Sequence, residues 1–500
     1  MIRLGGRSAR WALLVLAALL AVQSAAWAQR KRPILAALPF MLEVLDPTRG
    51  TAGWQLVTHG IAETLFVIDE AGTIAPGLAE SARPDGASWI VRLGAGRKFS
   101  DGTAVDANAV GEALSRTARA NPLAVFATGP LRVETLDPLT LRVTPTRPVN
   151  RIETVLAAFP AVIYKNDARG RPIFTGPYLV GDFRANLVLR LDPNPHYPSG
   201  QPRAPILIRR MPDANARAMA LESGEVDLAG GLSNESLARL SKLPDIEIRS
   251  AATGYQYMIV ANLLRLPLAI PNVRKAIDLA IDRAALVKAL GHGEPATGLF
   301  PTSFHVGDGK VRPFDASRAN RLLDQAGLRR DESGFRLYNN KRVAIELLAY
   351  PQRPDFLVIA PLIKAQLAAI GFDIKIRIAE NVAQLLQTGD FELALWAMHP
   401  APAGDAGYVF AQHLRDGGPR NYGRYESRRL ETILEDLAKT PEPDARAALV
   451  ARAHAVILED APMMFLMTPQ IRVGISRRAA LDGILTTDAF VLRADIGVGP

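Results

Sequence analysis

Gly60-Ile-Ala-Glu-Thr-Leu65, Pro76-Gly-Leu-Ala-Glu80, Trp89-Ile-Val-Arg-Leu93 and Phe99-Ser-Asp-Gly-Thr103 follow one another in this order, with Asp106 close behind. The third phrase reads as a strand. Gly94-Ala-Gly96-Arg97 lies between it and the next phrase, so it reads as a tight turn and not as a phosphate loop. Asp101-Gly102 is likewise a turn signal. Asp106 is suited to cap a helix, and Val105 and Val110 stand at the two positions of a hydrophobic staple. That helix is expected to continue through Leu114.

Outward from this stretch, helix and strand signals alternate along the whole chain, which predicts mixed α/β lobes. Leu187–Leu191 reads as a strand after the turn-rich Phe174-Thr-Gly-Pro-Tyr178. Asp213–Glu222 reads as a helix stopped by Gly224, with a short strand from Val226. Val273, Ala276, Ile277, Ala280, Ile281 and Ala284 share one helical face. Asp315 can cap a helix closed by Gly327. Pro361–Ile370 is expected to be helical, and Phe372, Ile374, Ile376 and Ile378 alternate as a strand. Leu430–Leu437 and Ala445–Ile457 carry two more helical faces, and no internal repeat interrupts the series.

The N-terminus has the form of a secretion signal. Arg3, Arg7 and Arg10 precede an apolar run from Trp11 to Val22, and Ala26-Trp27-Ala28 is a small-x-small cleavage site. The run is short of the roughly 20 residues a spanning helix needs. The mature chain is expected to begin at Gln29. The sequence has no cysteine, which excludes a lipid-anchored N-terminal Cys, a disulfide framework and a cysteine nucleophile. An exported, unanchored chain of this kind is expected in a periplasm. Removing residues 1–28 takes away three arginines and no acid, so the formal charge falls from +9 to +6. The basic residues are scattered, against a nucleic-acid footprint. About 470 mature residues exceed what one core supports, so at least two domains are expected.

The four opening phrases resemble the start of the large solute-binding proteins of ABC importers, the peptide/nickel type called family five. Phe174–Tyr178, Leu221-Glu-Ser-Gly-Glu-Val-Asp227, Asn262 with Val273-Arg274 and Ala280-Ile-Asp-Arg283, Ala326-Gly-Leu328 and Asn421-Tyr422 extend the resemblance to most of the chain. It implies a two-lobed, hinged binding protein of type II, in the large three-subdomain variant. Residues 29–260 would form lobe one, with an extra subdomain at about 76–165. Residues 261–468 would form lobe two, and 469–500 would return to lobe one. Hinge crossings are expected near Tyr257–Leu263 and Phe465–Arg472.

By the same resemblance the ligand lies between the lobes. Trp54 and Gln55, after Leu45-Asp-Pro47, would form one wall. Trp396, His399 and Asp405 would form the other, with Asn421 and Tyr422 beside them. Peptide-binding relatives often carry Asp at the position of His399, where it pairs with the ligand's α-amine. A histidine is mostly neutral at pH 7 and supplies no such charge. Either Asp405 has taken the role or the ligand is not a free-amine peptide. The expected function is capture of a peptide or peptide-like solute for a membrane permease and its ATPase subunits. A metal chelate or other non-peptide solute is the alternative, with a sensor, a chaperone or a hydrolase as readings of another class. No enzyme motif appears: there is no Gly-x-Ser-x-Gly, no phosphate loop and no His-Glu-x-x-His helix. No cofactor and no metal site are expected, and the protein is expected to be a monomer.

Overall fold

The computed structural model describes residues 32–479 apart from 50–51, 69–73, 148, 150, 199–202, 402–405 and 441. The expected signal segment, Asp405 and the end of the return segment lie outside the described residues.

Two large sheets organise the chain. The first has the spatial order Tyr178–Arg184, Val188–Pro193, Ile206–Arg210, Ile34–Leu38, Leu228–Gly230, Gln470–Ser476, Ile246–Ala252. Ile34–Leu38 is its central strand, parallel to Ile206–Arg210 on one side and to Leu228–Gly230 on the other. The second has the order Glu294–Pro295, Met463–Thr468, Gln256–Ala261, Leu393–Met398, Ala344–Ala349, Asp373–Ile378. A separate four-stranded antiparallel sheet, built from Ala79–Asp85, Ser88–Leu93, Thr140–Pro145 and Leu131–Asp137, carries the helix Ala107–Ala120. This is a two-lobed type II binding-protein fold with an added subdomain on the first lobe.

Each lobe closes its own core. One cluster of buried residues runs from Tyr257 to Met467, and another joins Ile34–Leu228 to Val473 and Ile475; they share no residue. Movement of one lobe against the other therefore breaks no core packing, the usual condition for hinged domains. The chain crosses between sheets at Thr253–Tyr255 and again at Pro469. The second crossing lies inside the expected window. The first lies just before its window, because Gln256–Ala261 is wholly buried inside the second sheet and the turn precedes it.

Local chemistry explains the elements. The Asp106 carboxylate accepts the Ala109 N–H at 2.9 Å, and Val105 and Val110 are both buried, so the cap and the staple hold the helix start together. The helix runs past Leu114 to Ala120. Asn121 ends it and accepts the Leu123 N–H at 2.9 Å, opening the next helix, Pro122–Thr128. The apolar face beginning at Val273 is divided between two helices, Pro271–Ala280 and Arg283–Leu290. Asp282 caps the second by accepting the Ala285 N–H at 3.0 Å, a break that the apolar spacing alone conceals. The helix expected from Pro361 begins earlier, at Pro354, and Pro361 lies inside it. Proline at the first helical position needs no N–H partner, whereas inside a helix it removes one backbone bond.

Candidate functional site

A cavity of about 180 Å3 lies where both crossings meet the two lobes. Lobe one contributes Pro39 and Phe40 after the central strand, Trp54, Gln55, Thr58 and His59 from the helix at Ala52–Thr58, and Gly230-Gly231-Leu232. The crossings contribute Thr253, Tyr255 and Pro469–Val473. Lobe two contributes Tyr257 and the loop Gln352-Arg353-Pro354-Asp355, which opens the helix Pro354–Ala369. A strand end and a helix start thus aim backbone and side chains at one point.

Among the described residues the lining carries two arginines, Arg472, which donates to Asn234 Oδ1, and Arg353. The Arg353 guanidinium stands 5.2 Å from the Tyr255 ring centre and 5.7 Å from that of Tyr257. Cation–π contact of this kind holds the group without neutralising it. No carboxylate among the described residues comes within ion-pair distance of it, and an arginine side chain stays charged at physiological pH. The only acid among the described residues that line the cavity is Asp355, and it is occupied. Tyr257 donates its hydroxyl to Asp355 Oδ2 at 3.1 Å, and His292 Nε2 lies 3.2 Å from the same oxygen, close though poorly aligned for a hydrogen bond. Burial alone would raise the Asp355 pKa, but the neighbouring His292 ring, the charge of Arg472 and the Tyr257 bond hold it below the usual carboxylate value. His292 Nδ1 accepts the Gln470 N–H at 3.3 Å, tying this network to the second crossing.

Of the residues singled out from sequence, Trp54 and Gln55 line the cavity. Trp396 and Tyr422 pack edge to face at 5.8 Å, and Trp396 also meets Tyr350 at 6.2 Å; neither lines this cavity. The buried Trp396 Nε1 has no hydrogen-bond partner among the described residues. Asn421 is absorbed by its own loop, where it donates to the carbonyls of Arg415 and Tyr425 and accepts the Tyr425 N–H at 2.9 Å. His399 lies between the rings of Tyr255 and Phe304 at 5.7 and 5.9 Å. Its Nδ1 accepts the Ala401 N–H at 3.1 Å, so in the neutral ring the proton sits on Nε2. Burial pulls its pKa down to about 4, so the ring is uncharged at pH 7.

Sequence reasoning missed Arg353, Asp355, Tyr255 and His292. The signal was the Pro351-Gln-Arg-Pro354 loop, whose prolines mark a strand-to-helix turn. Taking Pro361 as the helix start hid it. Among the described residues no group of three His, Cys, Asp or Glu is arranged to hold a metal ion.

The family model of the bacterial extracellular solute-binding proteins, family 5 (middle region), matches residues 73–419. The chain belongs to this family. It is a solute-binding protein of the ABC-importer type. The glutathione-binding protein GsiB of Escherichia coli K12 is 28% identical over 450 residues, covering 83% of this chain and 85% of that one. The NikA structure from Staphylococcus aureus in complex with Ni(L-His)2 superposes with a TM-score of 0.83 at 20% identity, over 92% of this chain and 98% of that one. DppA from Helicobacter pylori, in complex with the peptide STSA, gives 0.80 at 23% identity, over 93% and 99%. At such identities the two structures establish the fold.

Proposed function

We propose that this chain captures a peptide or peptide-like solute in the periplasm, closes its lobes over it and presents it to a membrane permease, without transforming it. The observation that carries the ligand reading is Arg353, a charged group in the cavity between the lobes with no described carboxylate beside it. Burying a charge is costly unless it is paired, and a solute carboxylate would supply the pair, in the bidentate geometry that guanidinium favours. The helix beginning at Pro354 adds its positive end. The alternative, a metal chelate, would have to bring its own donor atoms, since the described residues group none for a metal. Binding of peptides by the DppA relative, and of glutathione by the GsiB relative, supports the same class.

Closure follows if the solute binds the closed arrangement better than the open one. Isothermal titration with tri-leucine and with its C-terminal amide tests the anchor. The free acid should bind about ten- to a hundredfold tighter, the worth of a charged hydrogen bond, and Arg353→Ala should erase that difference. Equal binding of acid and amide would sink this reading.

A further inference from the structure

A second and larger cavity, about 650 Å3, lies in the seam between the subdomain of lobe one and the helices of lobe two. The subdomain side carries the apolar Leu114, Leu123, Val155 and Leu156 beside Arg147 and Arg151; Leu434 and Leu437 face them from lobe two. The hinge-side cavity, at about 180 Å3, accommodates only a few times the roughly 30 Å3 that one water occupies. A solute of ordinary size therefore needs room elsewhere, and the seam falls in the range of small-molecule sites, about 300–1,000 Å3.

The two spaces are close neighbours. Trp54 lines the first, and its neighbour Gly53 packs so tightly on Phe159 that a Cβ there would lie 2.2 Å from the Phe159 carbonyl oxygen. Ala158 and Pro160, flanking Phe159, line the second. The seam also holds polar groups that are incompletely used. Gln412, fully buried, donates Nε2 to the Leu123 carbonyl at 3.3 Å across the lobes, while its Oε1 has no hydrogen-bond partner among the described residues. The Tyr408 hydroxyl, also on the lining, is in the same position. Gln412 lies in a π-helical turn, Phe410–Leu414, an irregularity frequent at functional sites. Cations outnumber acids on the lining, with Arg147, Arg151, Arg415, Lys439 and Arg446 against Asp416 and Glu435.

We propose that the seam cavity is a compartment for an apolar arm carried by the solute, so that the preferred solutes are acyl- or alkyl-bearing peptide-like acids. This rests on the reading that the cleft captures a solute by its carboxylate. The arm fills the apolar wall, and a donor on the solute completes Gln412 Oε1.

The experiment titrates the mature protein with dialanine carrying acetyl, butanoyl, hexanoyl or octanoyl on its nitrogen, so that the head stays constant and the arm grows. Affinity should rise about fourfold per added methylene until the cavity is filled. Ala411→Trp and Ala438→Trp, each at a half-buried position on the lining, should abolish that increment while leaving the acetyl compound unchanged. Circular dichroism melts confirm that both variants are folded, and two positions guard against one misfolding. A flat chain-length series, or an increment that survives both fillings, overturns the proposal. Arg353→Ala separates it from the head reading. A uniform loss across the series with the increment kept supports both. No loss, with the increment still removed by filling, leaves the compartment and defeats the carboxylate anchor.

Discussion

Thr253 donates its hydroxyl to the carbonyl of Pro469 at 3.0 Å, so the two crossings between the lobes are bonded to one another. Tyr255 N–H donates in turn to Thr253 Oγ1 at 3.1 Å. One buried hydroxyl therefore organises the turn that also delivers Tyr255 to the cavity. Thr253→Val keeps the shape and removes both bonds. It should cost about 1–3 kcal/mol, since the buried Pro469 carbonyl loses its donor, and a chemical denaturation midpoint reads this. An unchanged midpoint would mean that the clip is dispensable.

Gly254 sits against His399. A Cβ at Gly254 would fall 2.0 Å from His399 Nε2, so Gly254→Ala should destabilise by about 1–3 kcal/mol, as overpacking does. In the double variant with His399→Ala, the space reappears and most of that loss should be recovered. The double-mutant cycle measures the coupling. Additive losses would show that the two residues do not contact each other.

Acid should weaken the fold in a defined window. Burial lowers the pKa of both His59 and His399 to about 4 from the ordinary 6.5. The unfolded chain then binds more protons than the folded one between those values. Stability from these groups is complete above about pH 6.5 and is lost as pH falls towards 4. His399→Phe keeps a ring without the titrating group, so melting temperatures taken between pH 7 and 5 should fall less steeply for it than for the parent. Parallel slopes would contradict the burial of a neutral ring.

The Tyr257–Asp355–His292 network should matter for binding through position. Asp355→Asn keeps an oxygen for Tyr257 but removes the charge opposite Arg472 and His292. Its effect on a carboxylate solute should be small, because Asp355 is already engaged by Tyr257 and no described carboxylate pairs with Arg353. A loss of tenfold or more would mean that Asp355 contacts a cationic part of the solute. Titration of tri-leucine decides between these.

Much of the fold was legible because its signals are local. The Asp106 and Asp315 caps bond as their positions suggest, to Ala109 and Arg318, while Asp213, read as the first helical residue, is itself a cap that accepts from Ala216. The opening phrases are structural too. Glu63 pairs with Arg97 at 2.5 Å, and Asp101 accepts from Thr103 within its own turn. The cavity was less legible, since its parts come from opposite ends of the chain. Trp54 and Gln55 stand out as an aromatic and an amide near a turn. Arg353 looks like any of the other arginines, several of which are buried scaffolding. Arg217 donates to the Gly230 carbonyl at 2.7 Å and Arg283 to that of Phe465 at 2.6 Å. Only three-dimensional placement separates the arginine without an acid from those held by carbonyls and carboxylates.

Native mass spectrometry of the protein released from its own periplasm addresses the central claim most directly. The account predicts a bound small molecule whose fragmentation reveals a carboxylic acid of peptide-like composition, present on the parent and absent from Arg353→Ala. The same adduct on both proteins, or an adduct without an acidic group, would contradict it.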